Sequence, residues 1–133
     1  MNENEVTLFE HAVLAQAPPC SVVIGASLSP DGRFGAALTY LPSAHYLMDD
    51  FFERSGSDWS CRAGGSGGGM YWILIGESGL GVLRYGDEAP AGARFAHVEY
   101  EGQVHRVPVR HGHFVFIAWG TPFASDPLLL GFD

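Results

Sequence analysis

Two kinds of hydrophobic period run along this chain. The stretch "VTLFEHAVLAQ", residues 6–16, has the amphipathic pattern of a short helix, ended by Pro18-Pro19, which cannot continue it. From residue 20 onward the pattern is that of strands. "SVVIGASL" and "RFGAALTYL" flank Ser29-Pro30-Asp31-Gly32, a tetrad with turn chemistry, and together they predict a hairpin. In residues 45–54, Leu47, Met48, Phe51 and Phe52 also fit helical spacing. The Ser-Gly-Ser-Asp turn leading to Trp59 favours a second hairpin, so a strand is expected there. "GGSGGG" then reads as part of a flexible loop over residues 63–69, because consecutive glycines lose much entropy on ordering. "MYWILI" is apolar on both faces and is expected to be a central strand, turned by Glu77-Ser78-Gly79 into "LGVLRYG".

The last third can be read residue by residue. If Glu101-Gly102 is a two-residue loop, Tyr100 faces Gln103, Val98 faces His105, His97 faces Arg106 and Ala96 faces Val107. If His111-Gly112 is the next loop, Arg110 faces His113, Val109 faces Phe114, Val107 faces Phe116 and His105 faces Ala118. One face of this three-stranded meander then carries Ala96, Val98, Tyr100, Val107, Val109, Phe114, Phe116 and Ala118, interrupted by His105. That is a core face, and a one-residue slip would scatter it. The opposite face mixes His97, Glu99, Arg106, Arg110 and His113 with Val104, Val115, Ile117 and Trp119, so it is either a partly solvated face or a contact surface.

The same register argues against a metal site in "VPVRHGHFVFIAW". His105 points away from His97 and His113, which lie about 13 Å apart at about 3.3 Å per residue. Ligand nitrogens must approach within about 2.0–2.1 Å of one ion. His111 and His113 meet only as a pair at a turn, and no cofactor is implied. His11 and His45 read as isolated surface residues.

Composition narrows the function further. The 133 residues suit one domain, and 18 glycines suit many tight turns. All seven cations are Arg, a bias expected of a GC-rich bacterial genome. A net charge of −8 repels nucleic acid and anionic membranes, which leaves a basic protein or a neutral ligand as the better partner. No apolar run is long enough for a membrane span, and "MNENEVTLFEH" lacks a signal-peptide core, so a cytoplasmic location is expected. Cys20 and Cys61 match no metal spacing and read as two buried thiols, with a disulfide between them as the alternative if a leader directs the chain to an oxidising compartment. There is no P-loop lysine, no G-x-S-x-G elbow and no cysteine placed beside a histidine. Asp49-Asp50 and Asp87-Glu88 read as solvated charge, and Tyr71-Trp72, Phe114, Phe116 and Trp119 as core before stacking platforms.

The motifs "SPDGRFGAAL", "ERSGSDW", "GGSGGG" and "APAGARFAHVEYEG…VPVRHGHF" resemble a group of small, chiefly actinobacterial proteins with immunoglobulin-like β-sandwich modules. The resemblance spans most of residues 20–120. It implies a fold, and it transfers no activity and no functional residue.

The expectation is therefore a mainly β, two-sheet, immunoglobulin-like sandwich with a short N-terminal helix or arm, built as a single domain over 1–133. Within it, residues 1–18 form the helix or arm, 20–62 the hairpins, 63–69 the glycine-rich loop and 70–133 the immunoglobulin-like part. The function expected is a non-enzymatic module that binds a protein partner, for example a toxin-neutralising immunity protein. Trp119, Arg106 and His97 are its candidate contact residues. The alternative is a small-ligand binder or hydrolase with a pocket between the sheets or beneath the glycine loop.

Overall fold

The computed structural model describes residues 3–66, 68–76 and 79–133. The fold is mainly β, with one N-terminal helix and three antiparallel sheets among the described residues. It divides into two compact units, residues 1–68 and 69–133. No helix among the described residues is long and apolar enough to cross a membrane.

In the first unit, helix α1 (Glu3–Gln16) buries Phe9 and Val13, one turn apart on the same face. It lies on a sheet of order β1-β2-β3-β4, formed by Val22–Leu28, Phe34–Leu41, Tyr46–Ser55 and Asp58–Ser66. Phe9 and Val13 join Leu28, Ala37 and Phe52 in one apolar cluster, with Val6, Ala26 and Trp59 packed around it. Burying Phe9 alone is worth about 1.5–3 kcal/mol. The predicted hairpin at Ser29–Gly32 is present and is locked locally. The Ser29 hydroxyl donates to Asp31 Oδ1 at 2.7 Å and accepts from the Phe34 amide at 3.0 Å.

Residues 46–55 form a strand, paired with β2 on one side and β4 on the other. Pleating sends neighbouring phenylalanines to opposite faces. Phe52 meets Phe9 edge-on at 5.5 Å, whereas Phe51 stacks on Phe34 at 5.5 Å. The expected loop over 63–69 needs correction, because β4 continues through Gly64 and Gly65 to Ser66. Gly64 pairs with Asp50, and a Cβ there would stand 2.7 Å from Asp50 Oδ1. The missing side chain makes room for a carboxylate instead of making a flexible loop. Gly67, within the same motif, lies outside the described residues.

The second unit holds two three-stranded sheets. One has the order β5-β6-β9 (Gly69–Ile75, Leu80–Glu88, His113–Gly120) and the other β10-β7-β8 (Leu128–Phe132, Phe95–Tyr100, Gln103–Pro108). Leu83, Ala96, Val98, Phe114 and Phe116 from both sheets form one apolar cluster. "MYWILI" is an outer strand of its sheet and not a central one, since apolar residues on both faces do not require neighbours at both edges. The expected turn at Glu77-Ser78 lies outside the described residues.

The β7–β8 register matches the reading from sequence at each predicted pair: Ala96↔Val107, His97↔Arg106, Val98↔His105 and Tyr100↔Gln103. The next turn also closes as expected, with reciprocal Arg110 and His113 backbone hydrogen bonds of 2.8 and 3.0 Å. There the predicted meander ends. Strand β9 pairs with β6 instead of β8, from Glu88↔His113 to Gly81↔Gly120. Pro108 has no amide hydrogen to offer, and the Val109 amide donates back to Arg94 O at 2.8 Å. The expected core residues nevertheless gather as predicted. Tyr100, Val107, Val109 and Ala118 all pack against the cluster that holds Ala96, Val98, Phe114 and Phe116.

Candidate functional site

Strand alternation builds the outer face of the β10-β7-β8 sheet. Ala96 and Val98 point into the core, so Phe95, His97 and Glu99 point out. Arg106, directly across from His97, lays its guanidinium carbon 3.5 Å from the Phe95 ring centroid. A cation over an aromatic face contributes about 0.5–1 kcal/mol at an exposed site. His97 Nε2 lies 3.2 Å from Asp133 Oδ1, an ion pair when the ring is protonated. Asp133 is held by its backbone, whose amide donates to Phe95 O and whose carbonyl accepts from the Arg94 and Phe95 amides. Around these pairs Val104, Leu128 and Leu130 are each more than half exposed. Strand β10 forms an edge of the sheet, and no signal in the sequence reading had marked it as a strand.

The three candidate residues do not come together. His97 and Arg106 are cross-strand neighbours, but Trp119 lies in the other sheet, opposite Val82 on β6. The single mixed face expected from sequence required β9 beside β8, so it is not formed. His113 is buried, with Nδ1 2.9 Å from the His111 carbonyl. His105 packs against the Phe116 ring at 5.0 Å, and exposed His45 meets the Tyr40 hydroxyl at 3.1 Å.

Phe114 and Phe116 lie in the core and Trp72 packs against it, while the side chain of Tyr71 lies outside the described residues. Of the paired carboxylates, Asp49 is buried, and Asp87 accepts a hydrogen bond from the Glu88 amide at 2.7 Å. Cys20 and Cys61 are free and exposed, which corrects the expectation of buried thiols. Cys20 falls in the turn after Pro18-Pro19, and Cys61 sits on β4, an outer strand of its sheet. Among the described residues, no group of three or more His, Cys, Asp or Glu could hold a metal ion.

The N-terminal unit adds a feature that the sequence reading missed. A cavity of about 240 Å³ opens between α1 and the β3–β4 hairpin. Glu5, Leu8 and Ala12 line it from one stripe of the helix, and Leu28, Arg54, Ser57 and Trp59 line it from the sheet. Arg54 and Trp59 face each other across the two strands, with the guanidinium carbon 5.8 Å from the indole ring. The Trp59 ring is braced by Phe9 at 4.7 Å, and its carbonyl accepts from Gln16 Nε2 at 2.8 Å. The contacts of Trp59 with Phe9 and Gln16 join positions more than 40 residues apart, so no local spacing announces them.

Compared with protein-family models, curated proteins and solved structures, the chain finds no match in any of the three.

Proposed function

We propose that this chain is a non-enzymatic module that binds a basic protein partner through the outer face and β10 edge of the C-terminal unit. The observation that carries this reading is the exposure of Val104, Leu128 and Leu130 around the His97–Asp133 and Arg106–Phe95 pairs. Apolar residues rimmed by charge are the composition of an interface, and an edge strand offers backbone groups for strand addition. The net charge of −8 favours a cationic partner, for which an immunity protein acting on a basic toxin is one concrete case. The shared cluster of the two C-terminal sheets supports an immunoglobulin-like sandwich as the arrangement of that unit. A cytoplasmic setting fits two cysteines that are free thiols.

The test is capture from native lysate by the immobilised chain, beside a Val104→Lys, Leu128→Lys variant with the same melting temperature. A stoichiometric basic partner that the variant fails to hold, and that salt releases, is the expected result. Capture of nothing, or equal capture by both proteins, overturns the reading.

A further inference from the structure

We propose that the cavity between α1 and the β3–β4 hairpin binds an apolar α-amino acid, its carboxylate on Arg54 and its side chain against Trp59. This site lies in the N-terminal unit and does not depend on the partner surface proposed above.

Charge accounting singles out Arg54. Residues 1–68 contain three cations, Arg33, Arg54 and Arg62. Arg33 and Arg62 both bind Glu53, at 2.9 and 3.2 Å. Among the described residues no carboxylate pairs with Arg54, although the unit is acidic. Its Nε instead donates to Gly56 O at 2.9 Å while the guanidinium sits over the Trp59 ring. That arrangement uses one edge of the guanidinium and fixes its plane. The two terminal amino groups remain, the pair that grips a carboxylate with two parallel hydrogen bonds.

The other lining groups narrow the ligand. Leu8, Ala12, Leu28 and the Trp59 indole supply apolar wall for a hydrocarbon or aromatic side chain. Glu5 is the second charged group of the lining, so a dianion such as phosphate is disfavoured and an ammonium group is welcomed. Ser57 adds a hydroxyl that can donate or accept. A cavity of about 240 Å³ also falls below the roughly 300–1,000 Å³ of sites for drug-sized ligands. A single amino acid suits it, and a nucleotide does not.

The experiment is an amide and indole NMR titration of the whole chain with L-phenylalanine, L-leucine, phenylacetate, phenethylamine and inorganic phosphate. The expected result is saturable movement of the Trp59 indole and of the Arg54 and Ser57 amides with the two amino acids at millimolar concentration. Phenylacetate and phenethylamine should bind more weakly, and phosphate should leave those signals in place. Arg54→Gln should weaken phenylalanine at least about tenfold, the loss of a charge-assisted pair. Glu5→Gln should narrow the gap between phenylalanine and phenylacetate. Ala12→Leu should fill the cavity and abolish binding while the remaining spectrum keeps its dispersion. Absence of saturable shifts with either amino acid, binding undiminished in Arg54→Gln, or phosphate binding as well as phenylalanine would each overturn the proposal.

Discussion

A Cβ placed on Gly35 would stand 2.4 Å from Cζ of Phe9, so the phenylalanine ring occupies the space that any other residue would need. Leu28 and Phe52 flank Gly35 on the neighbouring strands, and the glycine forms a notch between them into which the helix lowers its ring. The ring cannot withdraw easily, because Phe52 meets it edge-on and Trp59 presses from another side. Gly35→Ala is therefore expected to cost about 1–3 kcal/mol, the usual penalty for overpacking a filled core. Urea denaturation beside the parent chain measures it, and adding Phe9→Leu should recover part of the loss. An unchanged midpoint would mean that the helix shifts without penalty.

The turn at His111-Gly112 makes a second expectation. Both residues have positive φ, 52° and 75°, as a two-residue hairpin turn of the favoured hand requires. Histidine enters that region more readily than most residues, but Asn-Gly is the preferred pair for such a turn. His111→Asn should raise the melting temperature, whereas Gly112→Ala should cost about 1–2 kcal/mol. If His111→Asn proves destabilising, the imidazole contributes something beyond the turn.

Acid titration probes the first hairpin. The Ser29 hydroxyl, and then the Arg33 amide, hold the Asp31 carboxyl below its ordinary pKa. A lowered native pKa contributes stability that is fully present above the ordinary carboxylate value, about 3.9, and is lost as pH falls through the native one. In Ser29→Ala the carboxyl resonance of Asp31 should titrate at higher pH than in the parent. A titration that stays in place would show that the Arg33 amide alone sets it.

Thiol chemistry tests the neighbourhood of Cys61. Although Cys61 is exposed, partial desolvation of its thiol pushes the pKa up, and the Asp50 carboxylate, whose Oδ1 is 4.0 Å from the sulfur, adds to the rise. The thiolate is the reacting form, so Asp50→Asn should speed alkylation of Cys61 severalfold near pH 8 while Cys20 reacts as before. Equal rates for the two proteins would leave desolvation as the whole cause.

These cases show how far local chemistry reaches. The β7–β8 ladder was legible pair by pair because a two-residue turn fixes register from its first pair. The inward set survived even where the pairing did not. Pleating decides which side chains of β9 face the core, and Phe114, Phe116 and Ala118 face it whether the neighbour is β8 or β6. What local pattern cannot specify is the identity of that neighbour. His97 and Arg106 were therefore placed together correctly, and Trp119 was assigned to the wrong sheet. Strand β10 was missed because "LLLGF" has no alternation to distinguish it from a loose apolar tail. The cavity escaped for a related reason, since Leu8 and Ala12 acquire meaning only beside Arg54 and Trp59.

The departure of β9 from β8 also imposes an order of events on the chain. Joining Glu88 to His113 closes a loop over residues 89–112, and the whole β7–β8 hairpin lies inside it. A hairpin with a short turn forms in microseconds, and once formed it shortens the span that the longer closure must bridge. The β6–β9 ladder should therefore zip after β7–β8, and β10 can add only to an existing β7. Pulse-labelled hydrogen exchange should find the β7–β8 amides protected first, and simultaneous protection of β9 would contradict that sequence. The crossing at Gly112 thus acts as a clock as well as a corner, making a long-range pairing of the unit wait for the local hairpin it encloses.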